Sequence, residues 1–137
     1  MELDRAVPYA GALLAVLLAA VLAGPYFAIE GQSQLLGAYY GSGPLGVVGA
    51  IFLAILGSVI FLSGVRGRAD PALVAGIMLA VGVTILALTA LWAFTIDPTV
   101  LFGFPATYSW LELHRWVSLV ISVSLAAAAA AYAAVVL

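Results

Sequence analysis

Four apolar runs, at 6–29, 44–62, 71–95 and 110–137, decide what this chain can become. An α-helix rises 1.5 Å per residue, so about 20 residues cross the ~30 Å hydrocarbon core of a bilayer. Each run meets that length, and nearly all ionisable groups lie between the runs or at their ends. A chain of 137 residues that is 66% hydrophobic and 7% charged has no soluble alternative. Soluble domains carry about 25% charged residues, and so small a fold cannot enclose this much apolar surface. The expected fold class is all-α: a polytopic membrane protein, a single domain over 1–137, with short connections that make an antiparallel four-transmembrane-helix bundle.

Local signals place the ends of these helices. The first run follows a start containing Glu2, Asp4 and Arg5. A secretory signal would need a cationic leader and only 7–15 apolar residues, so a spanning helix is the better reading. Gly24-Pro25 is expected to end or kink it, with Tyr26 and Phe27 at the interface. The segment 30–43 reads as a polar, glycine-rich connection with Tyr39-Tyr40 as an interfacial anchor, and Pro44 suits the first position of the second helix. Asp70-Pro71 is an N-cap followed by proline, the start signal of the third. Asp97-Pro98 ends that helix. The apolar connection after it belongs in the headgroup layer or against the helix ends. Ser109 and Glu112 have capping-box spacing ahead of the fourth helix.

Arginine placement sets orientation. With the N-terminus inside, Arg5, Arg66 and Arg68 are cytoplasmic and only Arg115 is outside, as the positive-inside rule favours. Both termini are then cytoplasmic.

Helix association in lipid relies on close backbone approach along rows of small residues. Rows at four-residue spacing occur in all four runs. Those of the second and fourth helices are the stronger: Gly46, Ala50, Ala54 and Ser58, then Ser118, Ser122 and Ala126. The first has Gly11, Ala15, Ala19 and Ala23, and the third Ala72, Gly76, Ala80 and Thr84.

Stepping up the last row from Ser118 leads to His114 and Trp110. This makes one outer-face polar cluster the candidate site: His114, Arg115, Glu112, Asp97 and Glu30. Each member also has a plainer reading. Glu112 completes a capping box, Asp97 terminates a helix, Arg115 pairs with a carboxylate or lipid phosphate, and His114 is a satisfied interfacial histidine.

Missing residues narrow the function further. No ionisable residue lies in the middle of a run, which argues against a proton relay or ion-coupled site. With no cysteine and a single histidine, no metal site and no cofactor is expected: zinc lacks donors, and haem lacks a second axial ligand near His114. The serines lack a nucleophile motif, so no catalytic residues are assigned, and they are expected to bond the preceding turn's carbonyl. A net charge of −2 leaves no nucleic-acid footprint.

The segments AYYGSG (38–43), DPALVAG (70–76) and HRW (114–116) resemble small four-helix membrane proteins of halophilic archaea with no assigned role. The resemblance implies an archaeal cell membrane and carries over no site residues. The leading functional expectation is a non-enzymatic membrane protein serving assembly, as a homo-oligomer or as an accessory subunit of a larger membrane complex. A passive channel or carrier for a small neutral solute, gated at the outer face, is the alternative. An outer-face enzyme using His114 with Glu112 or Asp97 ranks last.

Overall fold

The computed structural model describes residues 3–137 and is all-helical among them. Four helices are long and apolar enough to cross a membrane: α1 (Leu3–Ala28), α3 (Val48–Val65), α4 (Pro71–Thr95) and α6 (Leu111–Val136). Two short helices, α2 (Ser33–Tyr40) and α5 (Pro98–Gly103), and a 3-10 turn (Ala106–Tyr108) occupy the two long connections. Helix α1 packs against α3 and α6, and α4 packs against the same two. The C-terminal halves of α1 and α4 meet the start of α6 at one end, where His114 reaches Val21 and Arg115 reaches Ala93. At the other end Phe61 of α3 lies against Gly11 of α1 and Tyr132 of α6.

Several boundaries differ from the sequence expectation, each for a local reason. Helix α1 begins at Leu3, inside the expected polar start, whose Met1 and Glu2 lie outside the described residues. It also runs through Pro25 to Ala28, so the proline sits within the helix instead of ending it. The second long helix starts at Val48, not Pro44, and continues to Val65, past the expected end at Leu62. Pro44 lies between Gly43 and Gly46, at φ of 78° and 68°, and a right-handed helix cannot include such residues. Gly46 is therefore a turn residue, not the top of a packing row: a Cβ there would come within 2.8 Å of the Tyr40 carbonyl. Asp70 caps α4, accepting from the Ala72 amide at 3.4 Å with Pro71 in the first turn. The expected capping box is absent: Trp110 is the N-cap of α6 and makes no side-chain capping bond.

Small residues recur on the inward faces among larger ones, and many large apolar residues face outward. Ala15, Ala19, Ala50, Ala54, Ser118, Ser122 and Ala129 are buried, whereas Phe52, Ile55, Val59, Ile77, Phe94 and Val120 are exposed. Ala50, Ala54 and Ser58 of the expected α3 row do face inward. On α6 the inward stripe is Leu111, His114, Ser118, Ser122, Leu125, Ala129 and Tyr132. Its steps mix three and four, because a strict four-residue row drifts ~40° per step around a 3.6-residue helix. Ala126 is accordingly only half-buried, and Ala130 and Ala134 are exposed. On α4 the expected row points outward: Gly76, Ala80 and Thr84 are exposed, and the inward stripe is Val74, Met78, Gly82, Ile85, Thr89 and Trp92. Gly82 sets that face by letting α6 come close. Its Cβ position is 3.2 Å from the Ala129 Cβ and 3.4 Å from the Ala126 Cα.

Gly11 does the same for α1 and α3, since a Cβ there would lie 2.6 Å from the Phe61 ring. Gly11→Ala should lower the melting temperature in detergent. Overpacking costs roughly 1–3 kcal/mol, against about 1 kcal/mol of helix propensity gained. In a Phe61→Leu background the same substitution should be neutral or stabilising. A stabilising Gly11→Ala in the otherwise unchanged chain would refute this close approach.

Candidate functional site

The site grows from one missing hydrogen. Pro25 has no N–H, so the Val21 carbonyl one turn earlier loses its helical donor at a half-buried position. His114 of α6 supplies the replacement, with Nε2 at 2.6 Å from the Val21 oxygen. A carbonyl can only accept, so Nε2 carries the hydrogen and the neutral ring keeps Nδ1 as an acceptor. That nitrogen lies 2.6 Å from the Tyr39 hydroxyl, which donates to it. The next residue repairs the next rung. The Tyr40 hydroxyl donates to the Leu22 carbonyl at 2.7 Å and accepts from the Tyr26 amide at 3.1 Å, bridging two groups that an unbroken helix pairs directly. Helix α2 thus inserts adjacent tyrosines into the proline gap of α1.

Helix α4 holds α2 in place. Trp92 Nε1–H donates to the Tyr39 carbonyl at 2.7 Å, satisfying an acceptor at the C-terminal end of α2. The Trp92 ring meets Tyr39 edge-on with centroids 5.2 Å apart, and His114 at 5.9 Å. Phe104 closes the other side of Tyr39 at 6.3 Å. Burial pushes the Tyr39 hydroxyl well above the usual phenol range; neighbouring Tyr40 adds to the rise and Arg115 opposes it. Burial likewise pushes Tyr40 up to about 12, against a smaller lowering by the Tyr26 amide.

The five members of the expected polar cluster part company. His114 is buried and turned inward onto a phenol and a carbonyl. Arg115 is half-buried: Nη1 donates to the Ala93 carbonyl at 3.4 Å, near the C-terminus of α4, and the guanidinium lies 4.8 Å from the Trp116 ring centre. Its buried Nε has no hydrogen-bond partner. Glu30, Asp97 and Glu112 are exposed. Asp97 caps α5, and the Thr99 amide at 2.9 Å, helped by the Thr99 hydroxyl, holds its carboxyl below the usual range. Among the described residues, no three His, Cys, Asp or Glu side chains are grouped to hold a metal ion. Ser118, Ser122, Ser124 and Thr84 donate to carbonyls of their own helices, but the buried Thr89 hydroxyl has no partner.

Sequence reasoning missed Tyr39, Tyr40 and Trp92. Two signals could have found them. Leu36, Tyr39 and Tyr40 stand at i, i+3 and i+4, a helical face inside what reads as a loop. A proline inside an apolar run also demands donors from elsewhere.

A family model matches residues 1–137 in full. The chain belongs to DUF7548, a family of unknown function. No curated protein and no solved structure gives a significant match.

In this DUF7548 chain the histidine is a helix-repair group, and that role can be tested. His114→Leu leaves the Val21 carbonyl unsatisfied and should cost about 1–3 kcal/mol. In a Pro25→Ala background residue 25 regains its N–H, so the same substitution should cost clearly less in thermal unfolding. Equal costs in the two backgrounds would dismiss the repair. Tyr40 gives a pH signature. Its phenol is favoured in the neutral form, so this contribution to stability is complete below pH 10.0 and lost as pH rises towards about 12. Tyrosinate absorbance during alkaline titration should show a late-ionising class that Tyr40→Phe diminishes.

Proposed function

We propose that this chain is a non-enzymatic integral membrane protein serving assembly, either with copies of itself or as an accessory subunit of a larger membrane complex. In this reading it is an antiparallel four-transmembrane-helix bundle in an archaeal cell membrane, with both termini cytoplasmic. The observation that carries the proposal is that most inward polar groups are spent on the chain itself, the buried Thr89 hydroxyl and Arg115 Nε being the exceptions. Both nitrogens of His114 are engaged, Ser118 and Ser122 donate to their own helix, and Leu18, Leu22, Met78, Ile85 and Leu125 fill the centre with side chains sealed from the surface. Such an interior supplies neither a nucleophile nor a polar path for a solute.

Association then falls to the outward surface, where large apolar side chains suit lipid. Helix α4 departs from this, since Gly76, Ala80 and Thr84 form an exposed row of small residues, as Ala130 and Ala134 do on α6. In lipid a second helix can approach such a row closely. Nothing lies within 4 Å of a Cβ built at Gly76, so a larger residue fits the lone chain there.

Extraction in a mild detergent should therefore yield a defined oligomer or a co-purifying partner identifiable by mass spectrometry. Gly76→Ile should shift that complex to the lone chain while leaving the melting temperature of the lone chain nearly unchanged. A monodisperse monomer without partners, obtained from the unaltered protein in several detergents, would remove the assembly reading.

A further inference from the structure

The end of the molecule opposite the tyrosine latch carries cations that have no partner among the described residues. The turn from α3 to α4 projects Arg66 and Arg68, both exposed, and neither guanidinium has a hydrogen-bond or ion-pair partner among the described residues. Asp70, the nearest acid along the chain, is engaged as the cap of α4. A cavity of about 260 Å³ lies between the two arginines, Ser63, Leu62 and Val59. The Ser63 hydroxyl donates to the Ile60 carbonyl at 2.6 Å, and the Ser63 carbonyl accepts from the Arg68 and Ala69 amides. The free donors facing this cavity are therefore the guanidiniums. Their planar forks match a phosphate in two-point geometry.

An apolar track leads away from the cavity. Phe52, Ile55, Val59, Leu62 and Arg66 follow steps of three and four along α3 and so share one face. Phe52, Ile55 and Val59 are each more than half exposed, at 69%, 52% and 61%. From Phe52 to Leu62 the helix rises about 15 Å, half the ~30 Å hydrocarbon core and the depth of one leaflet. Cationic donors at the water boundary, continuous with an apolar strip one leaflet deep, complement one kind of molecule in both charge and length.

We infer that Arg66 and Arg68 hold the phosphate headgroup of an anionic phospholipid whose acyl chain lies along Leu62, Val59, Ile55 and Phe52. This rests on the membrane reading above and adds a ligand class to it. The lipid belongs to the leaflet that the α3–α4 turn faces, which is the cytoplasmic one in the proposed orientation. Free phosphate shares the headgroup chemistry but has nothing to place on the apolar track.

Native mass spectrometry of the full chain in detergent, titrated with phosphatidylglycerol, phosphatidylcholine or inorganic phosphate, tests the assignment. Phosphatidylglycerol should be retained in preference to phosphatidylcholine, and inorganic phosphate should not displace it. Arg66→Gln with Arg68→Gln should weaken retention about 30-fold, as expected for two interfacial cations, and Arg66→Lys with Arg68→Lys should recover part of it. If the glutamine pair does not fold, Phe52→Asn with Val59→Asn reads the same contact from the outward face and should also weaken retention. Unchanged retention in the folded variants, equal binding of phosphatidylcholine, or displacement by inorganic phosphate alone would overturn the inference. Extraction separates this failure from a failure of the membrane reading: a chain that stays in solution without detergent would remove the membrane itself from the argument.

Discussion

A single absent N–H in α1 sets the terms for one whole end of this molecule. Pro25 leaves the half-buried Val21 carbonyl without its helical donor. An unsatisfied buried acceptor costs roughly 1–3 kcal/mol, a sizeable share of a typical net folding stability of 5–15 kcal/mol. The chain answers with donors from two other helices, His114 of α6 on Val21 and Tyr40 of α2 on Leu22. Each answer imposes a further condition. A neutral ring that donates from Nε2 leaves Nδ1 as a buried acceptor, and Tyr39 satisfies it. Tyr39 and Tyr40 can both reach inward only if α2 docks over the end, and Trp92 of α4 ties down the Tyr39 carbonyl. Through that sequence of requirements one proline couples α1, α2, α4 and α6.

The parts legible in the sequence were those governed by length and by strong local chemistry. Four apolar runs give four long helices because backbone groups away from water must be satisfied within the segment, and a helix does this for every interior residue. Asp70-Pro71 was readable because the cap and the proline act within two residues of each other. What escaped was non-local. Tyr39-Tyr40 looks like an interfacial pair until Pro25, fourteen residues earlier, is recognised as a demand for donors. His114 looks like a member of an acidic outer cluster until α2 is known to offer it a phenol. Gly46 matches a small-residue row by spacing, yet its positive φ assigns it to a turn. The Ser109–Glu112 pair has the spacing of a capping box, but the 3-10 turn before it puts Trp110 at the N-cap.

The packing rows failed or held for a geometric reason. Four-residue steps advance slightly more than one helical turn, so a strict row slides off any straight contact line after two or three members. On α6 it leaves the interior between Ser122 and Ala126, and Leu125 and Ala129 take over. On α4 the choice of face falls to Gly82, whose missing side chain admits the backbone of α6 at Ala126. That contact turns Gly76, Ala80 and Thr84 outward. One glycine inside thus determines which small residues are left outside.

The two ends of the molecule end up chemically unlike, and the difference bears on what the chain can do. At the latch end, phenols, an indole and an imidazole are mutually satisfied in neutral forms, so ionising any of them breaks a bond already made. Such an end fixes shape: α2 is held on α1 and α4 by directional bonds. At the far end Phe61, Gly11 and Tyr132 close the interior by packing, while Arg66 and Arg68 stand outside it with no charge partner among the described residues. A chain that spends its inward polarity on its own backbone has only its outward features left for recognition. Those features are the small-residue face of α4 and the cations of the α3–α4 turn, and α4 begins three residues beyond Arg68. In the assembly reading proposed above, a latched end at one side and an exposed pair of arginines at the other are the features through which a partner would meet this chain.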